Sequence, residues 1–192
     1  MAAVHSTMLP LGTTAPAFAL PDTGGRTVTL DDFRDARALV VVFISNHCPY
    51  VRHLRAGLAD VARRYQPRGV AFVAVNANDT ERYPADSPEE MRREKAEVGY
   101  PFPYLFDETQ EVAKAYRAAC TPDFFLFDAE RRLAYRGQFD GSRPRSDVPV
   151  TGQDLRAAMD ALLEDRPVPA EQAPSIGCNI KWKPGNEPEW FG

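Results

Sequence analysis

What this 192-residue chain lacks narrows its chemistry before any motif is read. It has only three cysteines, Cys48, Cys120 and Cys178, too few and too odd in number for the disulfide framework of a secreted protein. In a reducing compartment any disulfide among them would be transient and catalytic. No apolar run approaches the roughly 20 residues of a membrane span. The segment Met1–Pro10 lacks a basic stretch followed by an apolar core of about 7–15 residues, which marks secretion. The expectation is a cytoplasmic protein with no membrane partner. A net charge of −4 leaves no basic footprint for nucleic acid, and the pairs Arg63-Arg64 and Arg131-Arg132 read as solvated surface. A phosphate-cradling glycine loop, a nucleotide fingerprint and a Ser/His/Asp order are all missing, so no organic cofactor is expected. No metal is expected either: Cys48 and His53 are five residues apart on a helix and point to different faces, which spoils a site with His47.

What is present is the composition of a globular domain, 44% hydrophobic and 26% charged. Apolar patterning places strands at 38–44, 70–75, 123–127 and 133–138, with a short extended piece near 104–106. Helices fall at 49–65, about 87–98, 110–117 and 152–164. Ser87-Pro88-Glu89-Glu90 combines an N-cap, a proline at the first helical position and early acids, and Gly99 supplies the stop. Phe18–Leu20 and Thr27–Thr29 flank Asp22-Thr23-Gly24-Gly25, a hairpin signal, and Leu30–Phe33 reads as a turn of helix. Strand–helix–strand units of this length imply parallel pairing, while the last two strands, joined by Asp128–Arg131, imply an antiparallel hairpin. The domain is expected over 1–166. The proline-containing stretch 167–192 reads as an extended tail lying on the domain or on another subunit, because Ile176, Ile180, Trp182, Trp190 and Phe191 are too apolar to leave in water.

The most informative stretch is Asn46-His47-Cys48-Pro49-Tyr50-Val51. Leu39–Ile44 before it is continuously apolar, as in a strand covered on both faces, and Val51, Leu54, Leu58, Val61 and Ala62 after it recur at helical spacing. Cys48 therefore sits at a helix N-terminus, where free N–H groups and the helix dipole favour a thiolate with a pKa of about 3.5–7.5. His47 and His53 are placed to add positive potential, although packing explains His53 as well. Asn76, Asn78 and Asp79 follow a strand's carboxyl end, where turn formation accounts for them, and the aromatics Tyr83, Tyr100, Phe102 and Tyr104 read as packing.

The motif resembles a thioredoxin-type Cys-x-x-Cys whose second cysteine has become Val51. Four further stretches, Ala15–Asp22, Tyr100–Leu105, Cys120–Asp128 and Ser175–Trp182, are similar to the peroxiredoxin-like (redoxin, AhpC/TSA-type) subgroup of the thioredoxin superfamily, over about residues 10–183. The resemblance implies an α/β, thioredoxin-like three-layer sandwich with an N-terminal β-hairpin. It also implies a cis Thr121-Pro122 loop facing Cys48, and substrate contacts from Thr121, Pro122, Pro49, Tyr50 and His47.

Three chemistries remain open for such a chain. Thiol–disulfide exchange needs the low-pKa Cys48, the proline loop and a resolving thiol; Val51 cannot resolve, which leaves Cys120 as first candidate and Cys178 as second. Val42 stands where thioredoxin-like proteins often keep a buried acid. A peroxiredoxin-like peroxidase would use Ser45 as its hydroxyl residue, but Val41 replaces that family's loop proline and Pro122 falls where its arginine would be. The third is a noncatalytic binding module. The implied partners are protein or small-molecule disulfides, or peroxides, with a small thiol or thioredoxin-type reductant.

Overall fold

The sequence's period-two and helical patterns are realised in ten strands and four α-helices in the computed structural model, which describes residues 3–191. In chain order these are β1 (Ala3–His5), β2 (Ala19–Pro21), β3 (Thr27–Thr29), β4 (Ala38–Phe43), α1 (Pro49–Tyr65), β5 (Val70–Asn76), α2 (Pro88–Val98) and β6 (Tyr104–Phe106). They continue with α3 (Glu111–Ala115), β7 (Cys120–Thr121), β8 (Asp123–Phe127), β9 (Leu133–Gly137), α4 (Gln153–Leu163) and β10 (Ile176–Asn179). The central sheet runs β6-β5-β4-β8-β9. β4, the apolar run before Cys48, is buried at all six residues because it lies in the middle with cover on both faces.

Alternation along β4 sorts the molecule into layers. Val40 and Val42 join a core built on α1, α2 and α4, whereas Leu39, Val41 and Phe43 join a core with α3, the β2–β3 hairpin, and Ile180 and Trp182 of the tail. The result is the expected three-layer thioredoxin-like sandwich with its N-terminal hairpin. Helix ends follow their local chemistry: Ser87 Oγ accepts from the Glu90 N–H, and Gly99 closes α2 in the left-handed region at φ 71°.

Two features depart from the patterns read in the sequence. Parallel pairing holds for β4, β5 and β6, but β8 runs antiparallel to β4. β6 ends at the carboxyl edge of the sheet, and the chain from 107 to 122 stays at that edge instead of crossing back, so β8 can only return. The tail is also more ordered than an extended strap. β10 pairs antiparallel with β1 on one side and β7 on the other, forming a second, three-stranded sheet. β1 has only three residues and too little pattern to be read as a strand on its own. No helix among the described residues is long and apolar enough to cross a membrane.

Phe125, 1% exposed, stacks edge-on against Phe43 at 6.0 Å and Tyr116 at 5.7 Å. Phe125→Ala is expected to cost about 3–5 kcal/mol, because the cavity adds to the lost transfer energy. Urea denaturation measures it, and a loss below about 1 kcal/mol would contradict this account of the packing.

Candidate active site

The antiparallel return of β8 has a local consequence. The start of β8, Asp123, pairs with Phe43 at the end of β4, so the residues just before it lie beside the strand-to-helix turn that carries Cys48. Cys48 is the N-cap of α1, with extended backbone (φ −71°, ψ 121°), and Pro49 occupies the first helical turn. The Thr121-Pro122 peptide is cis. In the thiol form Cys48 Sγ donates to the Thr121 carbonyl oxygen at 3.0 Å.

The third side of the sulfur is closed by the tail. Cys178 on β10 lies opposite Thr121 in the ladder, which brings its thiol up to Cys48. A proton shared between the two sulfurs is the largest influence on Cys48. With help from the Thr121 side chain and the N–H of Val51 in the first turn of α1, it outweighs desolvation and lowers the Cys48 pKa to about 5. Cys178 holds the shared proton; its own titration is driven upward by the same bond and by burial. Cys120 is not the thiol bonded to Cys48: its Sγ turns to the Pro122 carbonyl oxygen at 3.5 Å, and burial pushes its titration well up. The sequence had ranked Cys120 first because it is two residues from the proline, but successive strand residues face opposite ways. Thr121, not Cys120, is the residue aligned with Cys178.

Beside the sulfur pair lies a buried polar network that the sequence reading missed. Asp86 is 0% exposed and accepts from the Asn46 N–H at 2.7 Å, Asn78 Nδ2 at 2.7 Å and Ser45 Oγ at 3.1 Å, with His47 Nδ1 at 2.7 Å from its Oδ2. Burial alone would raise its carboxyl; the bonds from His47, Asn78 and Asn46 more than offset this and hold it below the usual carboxylate range. Asn78 links the network to the tail, since its Oδ1 accepts from the Lys181 N–H at 2.8 Å. The Lys181 ammonium donates to the carbonyl and side-chain oxygens of Asn179 and lies 5.8 Å from the centre of the Tyr83 ring, which stacks on His47 at 5.5 Å. Burial pushes the Lys181 ammonium down, while the single negative charge of the Cys178–Cys48 pair and that of Asp86 pull it up. Opposite, Asp123 is fully buried and raised to about 7, with bonds from the Ala119 and Cys120 N–H groups offsetting part of the desolvation. Val42 carries no acid, but the neighbouring strand does. Nothing marked Asp86, Lys181 or Asp123 in the sequence beyond proximity to the motifs, because a charged residue in a loop ordinarily reads as solvated.

Of the remaining residues named from sequence, Tyr50 and Pro122 line a narrow groove with His53, Ser142 and Ile176. His53 bonds Ser142 Oγ at 2.6 Å and so latches a loop instead of facing the sulfur. Among the described residues no cluster of three or more His, Cys, Asp or Glu side chains is arranged to hold a metal ion.

A family model described as the AhpC/TSA family matches residues 11–136. A crystal structure of an uncharacterized conserved protein from Geobacillus kaustophilus superposes with a TM-score of 0.94 at 59% identity, covering 96% of this chain and 98% of that one. The thiol-disulfide oxidoreductase ResA of Geobacillus thermodenitrificans is 27% identical over 129 residues, 67% of this chain and 70% of ResA. Peroxiredoxin Bcp of Escherichia coli K12 is 27% identical over 135 residues, 69% of this chain and 81% of Bcp.

The network around Asp86 sets a stability test. Its pKa is lower folded than unfolded, so its stabilisation is complete above the ordinary carboxylate range and is lost as pH falls through the folded value. Asp86→Ala, which leaves the donors from His47, Asn46 and Asn78 unpaired, is expected to lose about 3 kcal/mol near neutrality. The gap to the unsubstituted protein should shrink below pH of about 4; a gap independent of pH would refute the assignment.

Proposed function

We propose that this chain, which belongs to the AhpC/TSA family, is a thiol–disulfide oxidoreductase whose nucleophile is Cys48 and whose resolving thiol is Cys178. The observation that carries the reading is the register of β10 against β7, which sets Cys178 opposite Thr121, the residue whose carbonyl oxygen lies 3.0 Å from the sulfur of a Cys48 that also caps a helix. The Cys48 thiolate attacks one sulfur of a disulfide RSSR, forming Cys48–S–SR and releasing RS⁻. Cys178 then gives its proton to the departing thiolate and attacks Cys48 Sγ, which releases the second RS⁻ and leaves a Cys48–Cys178 disulfide. Two electrons have passed from the dithiol to the substrate, and a small thiol or thioredoxin-type reductant returns them. Cys120, held protonated by burial, takes no part.

Thr121, Pro122, Pro49, Tyr50 and His47 surround the sulfur as binding residues, and Lys181 adds positive potential near the thiolate. A cytoplasmic setting belongs to the same reading, because a reducing compartment returns the pair to the dithiol between turnovers. The similarity to Bcp favours a second reading, reduction of peroxides. Against it stand Val41 and Pro122 at the positions that the peroxidase loop gives to proline and arginine.

Parallel assays of disulfide reduction and peroxide consumption with one thiol donor separate the two. Cys48-dependent disulfide turnover is expected, abolished in Cys48→Ser and stalled at the mixed disulfide in Cys178→Ser; Cys48-dependent peroxide turnover without disulfide reduction would reverse the assignment. The pH profile of Cys48 alkylation is expected to have its midpoint near 5 and to move upward in Cys178→Ala, which removes the side-chain donor at that position. An unmoved midpoint would refute the pairing.

A further inference from the structure

The backbone edge next to a redox cysteine is where an extended protein substrate has to lie, because strand pairing there both holds the peptide and aims its cysteine. In this chain that edge is β7, whose Thr121 carbonyl oxygen is 3.0 Å from Cys48 Sγ. It is already taken. β10 pairs along it with Cys178 opposite Thr121 and Asn179 opposite Cys120, so Cys178 stands where an incoming substrate cysteine would. We infer that β10 is a built-in substrate strand that fills this edge, so that the external disulfide reduced by Cys48 belongs to a small molecule and not to a folded protein. The inference rests on reading Cys48 as the nucleophile.

β10 is fitted closely and anchored on both sides. A Cβ on Gly177 would lie 2.0 Å from the Thr121 carbonyl oxygen, so no other residue permits this approach without moving the strand. β1 covers the far edge of β10. Beyond it, Ile180 N–H donates to the Ala119 carbonyl at 3.1 Å, and the Lys181 carbonyl accepts from the Asp79 N–H at 2.8 Å and from Gln110 Nε2 at 3.0 Å. Ile180 and Trp182 are 1% and 4% exposed. A protein strand would have to undo all of this before pairing with β7. A small disulfide needs only an opening of side-chain width over the buried Cys48, whose near neighbour in the chain, Tyr50, lines a groove with Pro122.

The closing experiment follows Cys48–Cys178 disulfide formation by mass spectrometry in the reduced full-length protein, mixed either with glutathione disulfide or with insulin. Glutathione disulfide is expected to react at least roughly 100-fold faster per disulfide, since only a local opening is required. Gly177→Ala, which pushes β10 off β7 and slows both oxidants alike where it draws Cys178 from Cys48, is expected to raise the insulin rate relative to the glutathione disulfide rate at least roughly tenfold. Comparable rates for the two oxidants in the unsubstituted protein would overturn the inference, with or without a folded Gly177→Ala. A Gly177→Ala protein that folds with that ratio unchanged would also overturn it. Failure of the underlying reading looks different: Cys48→Ser would then consume glutathione disulfide as fast as the unsubstituted protein.

Discussion

Cys48 has no contact with solvent, and this one constraint governs the rest of the site. A buried sulfur cannot draw on water to hold a negative charge, so its ionisation depends on the donors the fold supplies. They come from three distant parts of the chain: the Cys178 thiol from β10, the Thr121 side chain from β7, and the Val51 N–H from α1. Each element is held by something else. α1 hangs on the middle strand, β7 follows from the antiparallel return of β8, and β10 is clamped between β1 and β7. Loosening any of them removes a donor without touching the sulfur.

The charged groups around this centre show how environment assigns different protonation to like residues. Asp86 and Asp123 are both fully buried, yet they move in opposite directions. Asp86 sits among donors from four residues, which compensate the lost hydration of its charge. Asp123 has too few and is raised to about 7. A site with an ionised carboxylate on one side, a carboxyl raised toward neutral pH on the other and a buried ammonium between Asn179 and Tyr83 contains several groups that can hold or release a proton near the sulfurs.

The same arrangement ties the surroundings of Cys48 to the tail. Asn78 and Gln110 bond to tail backbone from the main domain, and Asn78 also bonds to Asp86. The Cys178 thiol, the Lys181 ammonium and the strand that covers Cys48 are thus one continuous segment from 176 to 181, stitched to the network that orients His47. A chain cut before that segment would keep the central sheet and α1 but lose the strongest donor to the thiolate.

Much of this was legible in the residues themselves. A continuous apolar run can only be a doubly covered strand, helical spacing with Pro49 fixes where α1 begins, and these local facts place Cys48 at a helix N-terminus without any tertiary information. The hairpin, the caps of α2 and the cis proline loop followed in the same way from short-range chemistry or family resemblance. What the tertiary structure alone decided is which distant groups meet. Whether Cys120 or Cys178 faces Cys48 depends on the register of β10 against β7, and register is set by the pairs Thr121–Cys178 and Cys120–Asn179, which lie 57 and 59 residues apart in the chain, beyond any local pattern. Asp86 and Lys181 differ in sequence from no ordinary surface charge; burial, a property of the whole fold, turned them into parts of the site.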